Sequence, residues 1–196
     1  INLYKILYGE NKEYLRNLYP MYRVINSCLN FKINSFLDYG CGKGNLAEIF
    51  KEKKQIEIYK FDPAIKEYET IKENLKVDLI ANCDVMEHIP ENEIDLVIDQ
   101  ISKISKNAFF NIYLKEAETI LPNGENAHCT VKPKFWWKNK ILNKFPHANY
   151  VYSSYKNSVC IITWRIGFMQ KIKNYLIVLQ NYLEFILANF INFFKK

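Results

Sequence analysis

The 196-residue sequence lacks the cysteine pairs by which zinc sites and disulfide frameworks are usually recognised. It contains five cysteines, widely spaced and without a C-x-x-C pair, so neither kind of framework is indicated. Several of the five fall in apolar segments, which is typical of reduced cysteines in a protein core. Reduced thiols favour a cytoplasmic location.

Dense runs of positive charge are also missing. The net charge is +6, but the lysines and arginines are scattered and form no basic stripe interleaved with aromatic residues. Such an excess permits a nucleic acid partner without requiring one, and we expect none. No internal repeat or low-complexity linker occurs, and the length suits one α/β domain with a substantial core.

Glycine is scarce, and half of it lies in one segment. Three of the six glycines are Gly40, Gly42 and Gly44, between an apolar run and the helix-forming stretch NLAEIFKEK. Glycines in such a strand-to-helix turn let a ligand lie against the backbone, next to the free N–H groups of the helix start. Asp38 would repel a pyrophosphate, which argues against a dinucleotide, but a carboxylate there suits an ammonium or sulfonium group.

Hydrophobic periodicity predicts strands that alternate with helices. We expect helical structure over residues 11–30, 45–54, 91–105 and 133–143, strands over 34–39, 56–61, 77–84 and 107–113, and a hairpin over 149–165. Pro20 marks a break or a second start in the first helical stretch. This alternation predicts a Rossmann-like, doubly wound and mostly parallel sheet with helices on both faces.

Two more motifs follow predicted strands. Asp62 ends the second strand, where an acid can bond both hydroxyls of a ribose; it can also cap a helix that starts at Pro63. The segment DVMEHI, residues 84–89, follows the third clear strand. Within it, His88 can bind the acceptor or cap the following helix. A metal role is not expected, because Glu87 and His88 are adjacent and no second histidine lies near them in the sequence.

The segment D-x-G-x-G-x-G resembles the first motif of class I S-adenosylmethionine-dependent methyltransferases. DVMEHI resembles the D-V-L-E-H-I segment of their small-molecule members, including the ubiquinone-biosynthesis type. The resemblance implies a sheet with an antiparallel last strand and S-adenosylmethionine as the cofactor. The cofactor contacts that it implies are Asp38, Gly40, Cys41, Gly42, Gly44, Asp62, Pro63, Asp84, Val85 and Met86.

One interval departs from that family's pattern. Only sixteen steps separate Asp62 from Asp78, where the usual sheet needs a helix, a strand and another helix. The stretch KEYETIKENLK can supply one helix or a short edge strand. We therefore expect a sheet in which the usual third strand can be missing, and we assign no residue to the adenine.

The connection over residues 114–131 is long enough to indicate a functional loop beside the acceptor. If the acceptor is a hydroxyl, it must lose a proton, and His128 is the candidate base; the alternative is a structural or acceptor-binding histidine. Asn126, His88 and Trp136 are candidate acceptor-binding residues. Trp136 is included because aromatic rings stack on sugar faces. Adjacent residues share no helix face, so at least one of Trp136 and Trp137 belongs to the core.

Residues 168–196 form a predicted amphipathic helix after a methyltransferase domain over residues 1–167 with a helical lead-in. Its wide apolar face comprises Ile172, Leu176, Leu179, Leu183, Ile186, Leu187, Phe190 and Phe194. Its polar residues argue against a membrane-spanning helix. Packing on the core, a homodimer contact and a peripheral membrane contact remain as alternatives.

Together these features predict a cytoplasmic S-adenosylmethionine-dependent methyltransferase that methylates an oxygen of a small molecule or saccharide. The pattern G-x-N-A-H followed by P-x-x-W-W resembles uncharacterised methyltransferases, some associated with surface-saccharide genes. The alternatives are an RNA methyltransferase and a non-catalytic cofactor-binding subunit.

Overall fold

The computed structural model describes residues 17–194, with residues 192–194 in backbone only, and its strands form one sheet. In chain order the strands are β1 (Ser35–Tyr39), β2 (Glu57–Phe61), β3 (Leu79–Cys83), β4 (Ala108–Tyr113), β5 (Asn149–Val151) and β6 (Ser158–Ile162). They lie side by side in the order β2-β1-β3-β4-β6-β5. Strands β1 to β4 are parallel, and β6 is antiparallel to β4 and to β5. The predicted sheet type, including the antiparallel last strand, is confirmed.

Helices cover both faces of this sheet. They are α1 (Tyr19–Cys28), α2 (Leu46–Lys54), α3 (Ile94–Ile104), α4 (Lys134–Leu142) and α5 (Phe168–Phe194). Neighbouring residues of β1 point to opposite faces, as the pleat requires: Leu37 packs with α3 and α4, whereas Phe36 packs with α1 and α2. The two apolar clusters therefore form one core layer on each side of the sheet.

The third strand of the usual sheet is missing between β2 and β3. Residues 62–78 contain only one 3₁₀ turn, Lys66–Tyr68, and β3 pairs directly with β1. The expectation of a sheet without this strand is confirmed. The expectation of a helix or edge strand in KEYETIKENLK is wrong, because the segment folds back at once: the Asp62 N–H donates to the carbonyl of Tyr68 at 2.9 Å.

The first arm of the hairpin is shorter than predicted, since β5 ends at Val151. Beyond it, the Ser153 hydroxyl lies 2.6 Å from the Ser158 hydroxyl, and the Tyr155 N–H donates to Ser153 Oγ. Side-chain bonds of this kind compete with a strand ladder. The predicted turn is present, and Asn157 adopts a left-handed conformation, with φ 63°.

The helical lead-in and the C-terminal helix pack on each other. Helix α1 starts at Tyr19 with Pro20 in its first turn, as the position of the proline predicts; residues 11–16 of the predicted stretch lie outside the described residues. Helix α5 starts at Phe168 and packs against α1. No helix within residues 17–194 is long and apolar enough to cross a membrane.

Helix α5 contacts the rest of the protein through two buried asparagines and the half-buried Val178. Asn174 is 1% exposed and Asn181 is 7% exposed. Asn174 accepts from the Tyr152 N–H and donates to Ser27, while Asn181 donates to the carbonyl of Pro20. The predicted apolar face instead points outward: Leu176, Leu179, Leu183, Ile186, Leu187 and Phe190 are exposed. Core packing through that face is therefore wrong.

Candidate functional site

The glycine loop is fixed to the end of β2 by backbone hydrogen bonds. The N–H groups of Gly40 and Cys41 both donate to the carbonyl of Phe61, at 2.7 and 3.0 Å. The Gly42 N–H donates to Asp62 Oδ2 at 2.9 Å. Gly40 and Gly42 have φ of 79° and 48°, in the left-handed region that favours glycine. The loop and Asp62 are thus brought together, as the two motifs predict.

The loop also touches the segment after β3. A Cβ placed on Gly40 would lie 2.3 Å from Val85 Cγ2, so only glycine allows this contact. Gly44 has a different reason to be glycine, because its Cβ would lie 2.8 Å from the side chain of Leu18 at the start of α1. Packing alone explains Gly44, and its contact with a cofactor stays a prediction.

Asp38 lies beneath the loop and is 2% exposed. Burial raises the pKa of its carboxyl group to about 7, against the lowering effects of Lys60 and of a hydrogen bond from the Ala47 backbone. Within residues 17–194 its Oδ2 atom has no hydrogen-bond partner. A cationic ligand group close to Asp38 would favour the ionised carboxylate.

Both carboxylate oxygens of Asp62 accept hydrogen bonds from backbone N–H groups. Oδ2 accepts from Gly42, and Oδ1 accepts from the Ala64 N–H at 2.8 Å. No helix begins at Pro63, so the interpretation of Asp62 as a helix cap is wrong; the carboxylate closes a turn instead. Each carboxylate oxygen can accept a second bond, and ribose binding stays a prediction.

The backbone is strained where β3 ends. Asp84 has φ 57°, which is uncommon for a residue other than glycine and occurs preferentially at functional sites. The Asp84 N–H donates to the carbonyl of Asn111, and the Asn111 amide donates to Asp84 Oδ1 at 2.5 Å. Met86, the first residue of the 3₁₀ turn Met86–His88, is fully buried. The segment is therefore held in one conformation against β4.

His88 and His128 meet, although forty residues separate them. Their ring centroids are 4.7 Å apart. His88 Nδ1 lies 2.8 Å from the carbonyl of Ala127, and His128 Nδ1 lies 2.6 Å from that of Lys115. Burial lowers the pKa of His88, which favours the neutral ring. His88 thus holds the 114–131 loop, and its interpretation as a helix cap is wrong.

The sequence argument against a metal rested on the lack of a second histidine near Glu87 and His88. The structure overturns that premise, because ligand atoms of Glu87, His88 and His128 all lie within 4.8 Å of one another. The sequence contained only an indirect sign that the two histidines meet. The two histidines follow β3 and β4, neighbouring parallel strands whose carboxyl ends meet at the same edge of the sheet.

The other two candidate acceptor residues have structural partners. The Asn126 amide donates to the Ala117 carbonyl, and its Oδ1 accepts from the N–H groups of Ala117 and His128. Trp136 is half-buried, with Lys132 and Lys140 Nζ atoms 5.5 and 5.3 Å from its ring centroid. Trp137 is fully buried, which confirms that one of the two tryptophans belongs to the core. Acceptor binding by Asn126 and Trp136 stays a prediction.

Comparison with known proteins identifies the family of this chain. Residues 12–145 match the family model described as a methyltransferase domain. A curated protein of Pelagibacter ubique (strain HTCC1062), named a ubiquinone biosynthesis O-methyltransferase, is 31% identical over 110 residues, which cover 46% of this chain and 45% of the relative. The chain therefore spans less than half the length of that relative.

Solved structures share the fold at low sequence identity. An O-methyltransferase family protein from Burkholderia thailandensis superposes with a TM-score of 0.57 at 13% identity, covering 77% of this chain and 57% of the other. The 1,6-didemethyltoxoflavin-N1-methyltransferase of the same organism, solved with its substrate and S-adenosylhomocysteine, gives 0.54 at 11% identity, covering 76% and 78%. At these identities the likeness shows the fold alone.

Proposed function

The chain belongs to the methyltransferase-domain family, and from this premise we propose that it transfers a methyl group from S-adenosylmethionine to an oxygen of a small molecule or saccharide. The predicted family and fold class are confirmed, and S-adenosylmethionine as the cofactor is supported by the family match. The identity of the acceptor and the activity of the whole protein are proposals.

One observation carries the proposal: three strand ends meet at the glycine loop. Gly42 bonds Asp62, and Gly40 abuts Val85. We assign the methionine end of the cofactor to the loop above Asp38, because a buried carboxylate stabilises an ammonium or sulfonium nearby. The ribose end is assigned to Asp62. No residue is assigned to the adenine, since the strand and acid that usually follow β2 are missing.

The acceptor side is assigned to the edge next to Val85. His88 and His128 lie there on segments that follow β3 and β4, and the ring of Tyr113 is 5.3 Å from that of His128. The cofactor is already activated, so the protein mainly orients the acceptor and helps to remove its proton. Because Nδ1 of His128 faces the Lys115 carbonyl, Nε2 is the nitrogen that can accept a proton.

Two observations support an oxygen acceptor and a saccharide. The curated relative is named an O-methyltransferase. The partly exposed ring of Trp136 suits stacking on a sugar face, while the two lysines beside it are paired with Glu91 and Asp95. Cytoplasmic location remains part of the proposal.

Calorimetry with S-adenosylhomocysteine tests the cofactor site directly. Wild-type protein should bind one equivalent, and Asp38→Asn should lose most of the affinity. Asp95→Asn is the matched control, because Asp95 is an exposed acid on α3 that pairs with Lys140. Circular dichroism should show that all three proteins are folded. A folded wild type that binds no cofactor would instead be a non-catalytic subunit.

A methyl-transfer screen with labelled S-adenosylmethionine tests the acceptor. We expect label in hydroxylated small molecules or glycans, and none in RNA. The attachment should resist mild acid and base, as expected for an ether rather than an ester. Label in RNA alone would reject the proposed acceptor class and favour the alternative of an RNA methyltransferase.

We further propose that the outward face of α5 binds an anionic membrane surface. Residues 168–196 contain four lysines and one acid, Glu184, and that acid is paired with Arg23 at 2.8 Å. A helix with exposed apolar side chains and excess positive charge suits a membrane interface. A lipid-linked acceptor would then meet the enzyme at this surface. A homodimer through the same face is the competing outcome.

A further inference from the structure

We propose that Glu87, His88 and His128 bind a divalent transition-metal ion such as Zn²⁺, and that the bound ion activates the acceptor hydroxyl. The first half of this statement stands on the geometry alone. The second half rests on the proposed methyl transfer.

The three side chains offer a suitable set of ligands. Two imidazoles and one carboxylate with an open fourth position are a common catalytic zinc set. One ring nitrogen of each histidine and one oxygen of Glu87 lie within 4.8 Å of one another, whereas atoms bound to one tetrahedral zinc ion are roughly 3.4 Å apart. Binding therefore requires side-chain shifts of the order of 1 Å and no change of fold.

Hydrogen bonds already set both histidines for coordination. A carbonyl oxygen can only accept, so the contacts with Ala127 and Lys115 place the hydrogen on Nδ1 of each ring. The lone pair of each neutral ring is then on Nε2. Metal-ligating histidines usually donate their other N–H to a carbonyl or carboxylate in this way.

The Glu87 carboxylate, like the two histidine rings, is held by a hydrogen bond with the backbone. Glu87 is fully buried, and its Oε1 accepts from the Tyr113 N–H at 3.0 Å. Little water competes for a carboxylate at this depth, so its attraction for a cation is strong. Tyr113 is the last residue of β4, which fixes Glu87 to the sheet.

The two segments that supply the ligands are tied together. The Thr130 N–H donates to the Glu87 carbonyl at 3.0 Å, and the Thr130 hydroxyl donates to the Ile89 carbonyl at 2.7 Å. His88 adds the bond to Ala127, and Asn126 holds the backbone of His128. The ligands are therefore positioned before any ion binds.

The place of the site in the fold suggests what the ion does. Val85, two residues before Glu87, touches the glycine loop, so the ion would lie next to the cofactor. A hydroxyl in the open coordination position would have a lowered pKa and lose its proton to water. Its oxygen then bonds the methyl carbon, the carbon–sulfur bond breaks, and the electron pair stays on sulfur as a neutral thioether. His128 would act through the metal rather than as a direct base.

Direct metal binding is the first test. Protein stripped with a chelator is titrated with ZnCl₂ by calorimetry, and one ion per chain is expected. His128→Gln and Glu87→Gln should weaken binding at least about tenfold. His147→Gln is the matched control, because His147 is exposed and belongs to the loop after α4. Equal zinc affinity in wild type and His128→Gln would overturn the site.

Cobalt substitution identifies the ligands. Co²⁺ bound by nitrogen and oxygen should give weak visible bands that vanish in His128→Gln and persist in His147→Gln. An intense near-ultraviolet thiolate band would place the ion on a cysteine, such as the exposed Cys129, and would overturn the proposal. Thermal unfolding should show that His128→Gln keeps its fold, since His128 is only half-buried and lies in a loop.

Activity separates this proposal from the proposed function. Chelation should abolish methyl transfer, Zn²⁺ should restore it, and S-adenosylhomocysteine should still bind the stripped protein. Transfer that survives chelation would reject the metal and leave the methyltransferase intact. Zinc binding without any cofactor binding would reject the proposed function and leave the metal site intact.

Discussion

Asp38 gives the cofactor site a pH dependence at the scale of one residue. Its pKa of about 7 means that the free protein holds this carboxyl group protonated at lower pH. A cationic cofactor group favours the carboxylate, so binding releases the proton. Calorimetry should show affinity for S-adenosylhomocysteine falling below pH 7, by up to about tenfold per pH unit, and levelling off above it. Asp38→Asn should bind weakly at every pH, without this slope.

The same residue affects folding stability with a defined sign. The folded-state pKa lies above the ordinary value of 3.8, so between about pH 4 and pH 7 the native state holds a proton that the unfolded chain has lost. The stability contributed by this group is present below pH 4 and is lost as the pH rises through 7. Urea unfolding of Asp38→Asn should lack this loss; equal slopes in both proteins would contradict the burial of an ionisable Asp38.

Gly40 tests the contact between the loop and Val85. An alanine there meets Val85 at 2.3 Å and must adopt φ 79°, so Gly40→Ala should cost about 2 kcal/mol or more. Gly124→Ala is the control: its φ is 85° but its Cβ meets nothing within 4 Å, so it bears the backbone strain alone. Adding Val85→Ala should recover the part due to the clash. Equal costs for the two glycine variants in urea unfolding would mean that the contact is unimportant.

At the scale of elements, α5 buries asparagines and exposes leucines, whereas helices usually do the opposite. Asn174→Ala should destabilise the protein by about 1–2 kcal/mol, because the Tyr152 N–H loses its acceptor and the Ser27 hydroxyl, which still donates to the Val24 carbonyl, loses its donor. Leu183→Asn, on the exposed face, should change the stability by less than about 0.5 kcal/mol. Thermal unfolding of the two variants measures this. A larger loss for Leu183→Asn would mean that the apolar face is covered.

Local patterns were sufficient to predict most elements. The apolar runs and the glycine turn predicted β1 to β4 and their helices, because these depend on neighbouring residues. Helix α5 was predicted as a helix, but its buried side was not, since that side carries Asn174 and Asn181 and is polar in the sequence. The structure shows Val178 packed against the core layer that contains α1 and α2, so the asparagines and the valine together form the contact.

The spatial neighbours in the site were harder to predict than the elements. The pairing of His128 with Glu87 and His88 depends on the course of the 114–131 loop, which Asn126 and Thr130 fix through bonds to distant backbone groups. No periodic pattern records such bonds. Asp62 was predicted to meet the cofactor loop, because both follow adjacent strands, and the bond to Gly42 confirms that they meet.

For the whole molecule, the proposed membrane contact depends on the exposed apolar face of α5. Vesicles of phosphatidylcholine with phosphatidylglycerol should co-sediment the wild type, and added salt should weaken the binding because the lysines contribute. Replacing Leu176, Leu183 and Leu187 together by Asn should abolish co-sedimentation without unfolding the protein, since all three side chains are exposed. Leu96→Asn, an exposed leucine on α3, is the control and should bind as the wild type does. Analytical ultracentrifugation without lipid gives the competing outcome: a dimer that the triple variant dissociates, with no vesicle binding, would assign the face to a second copy of the chain.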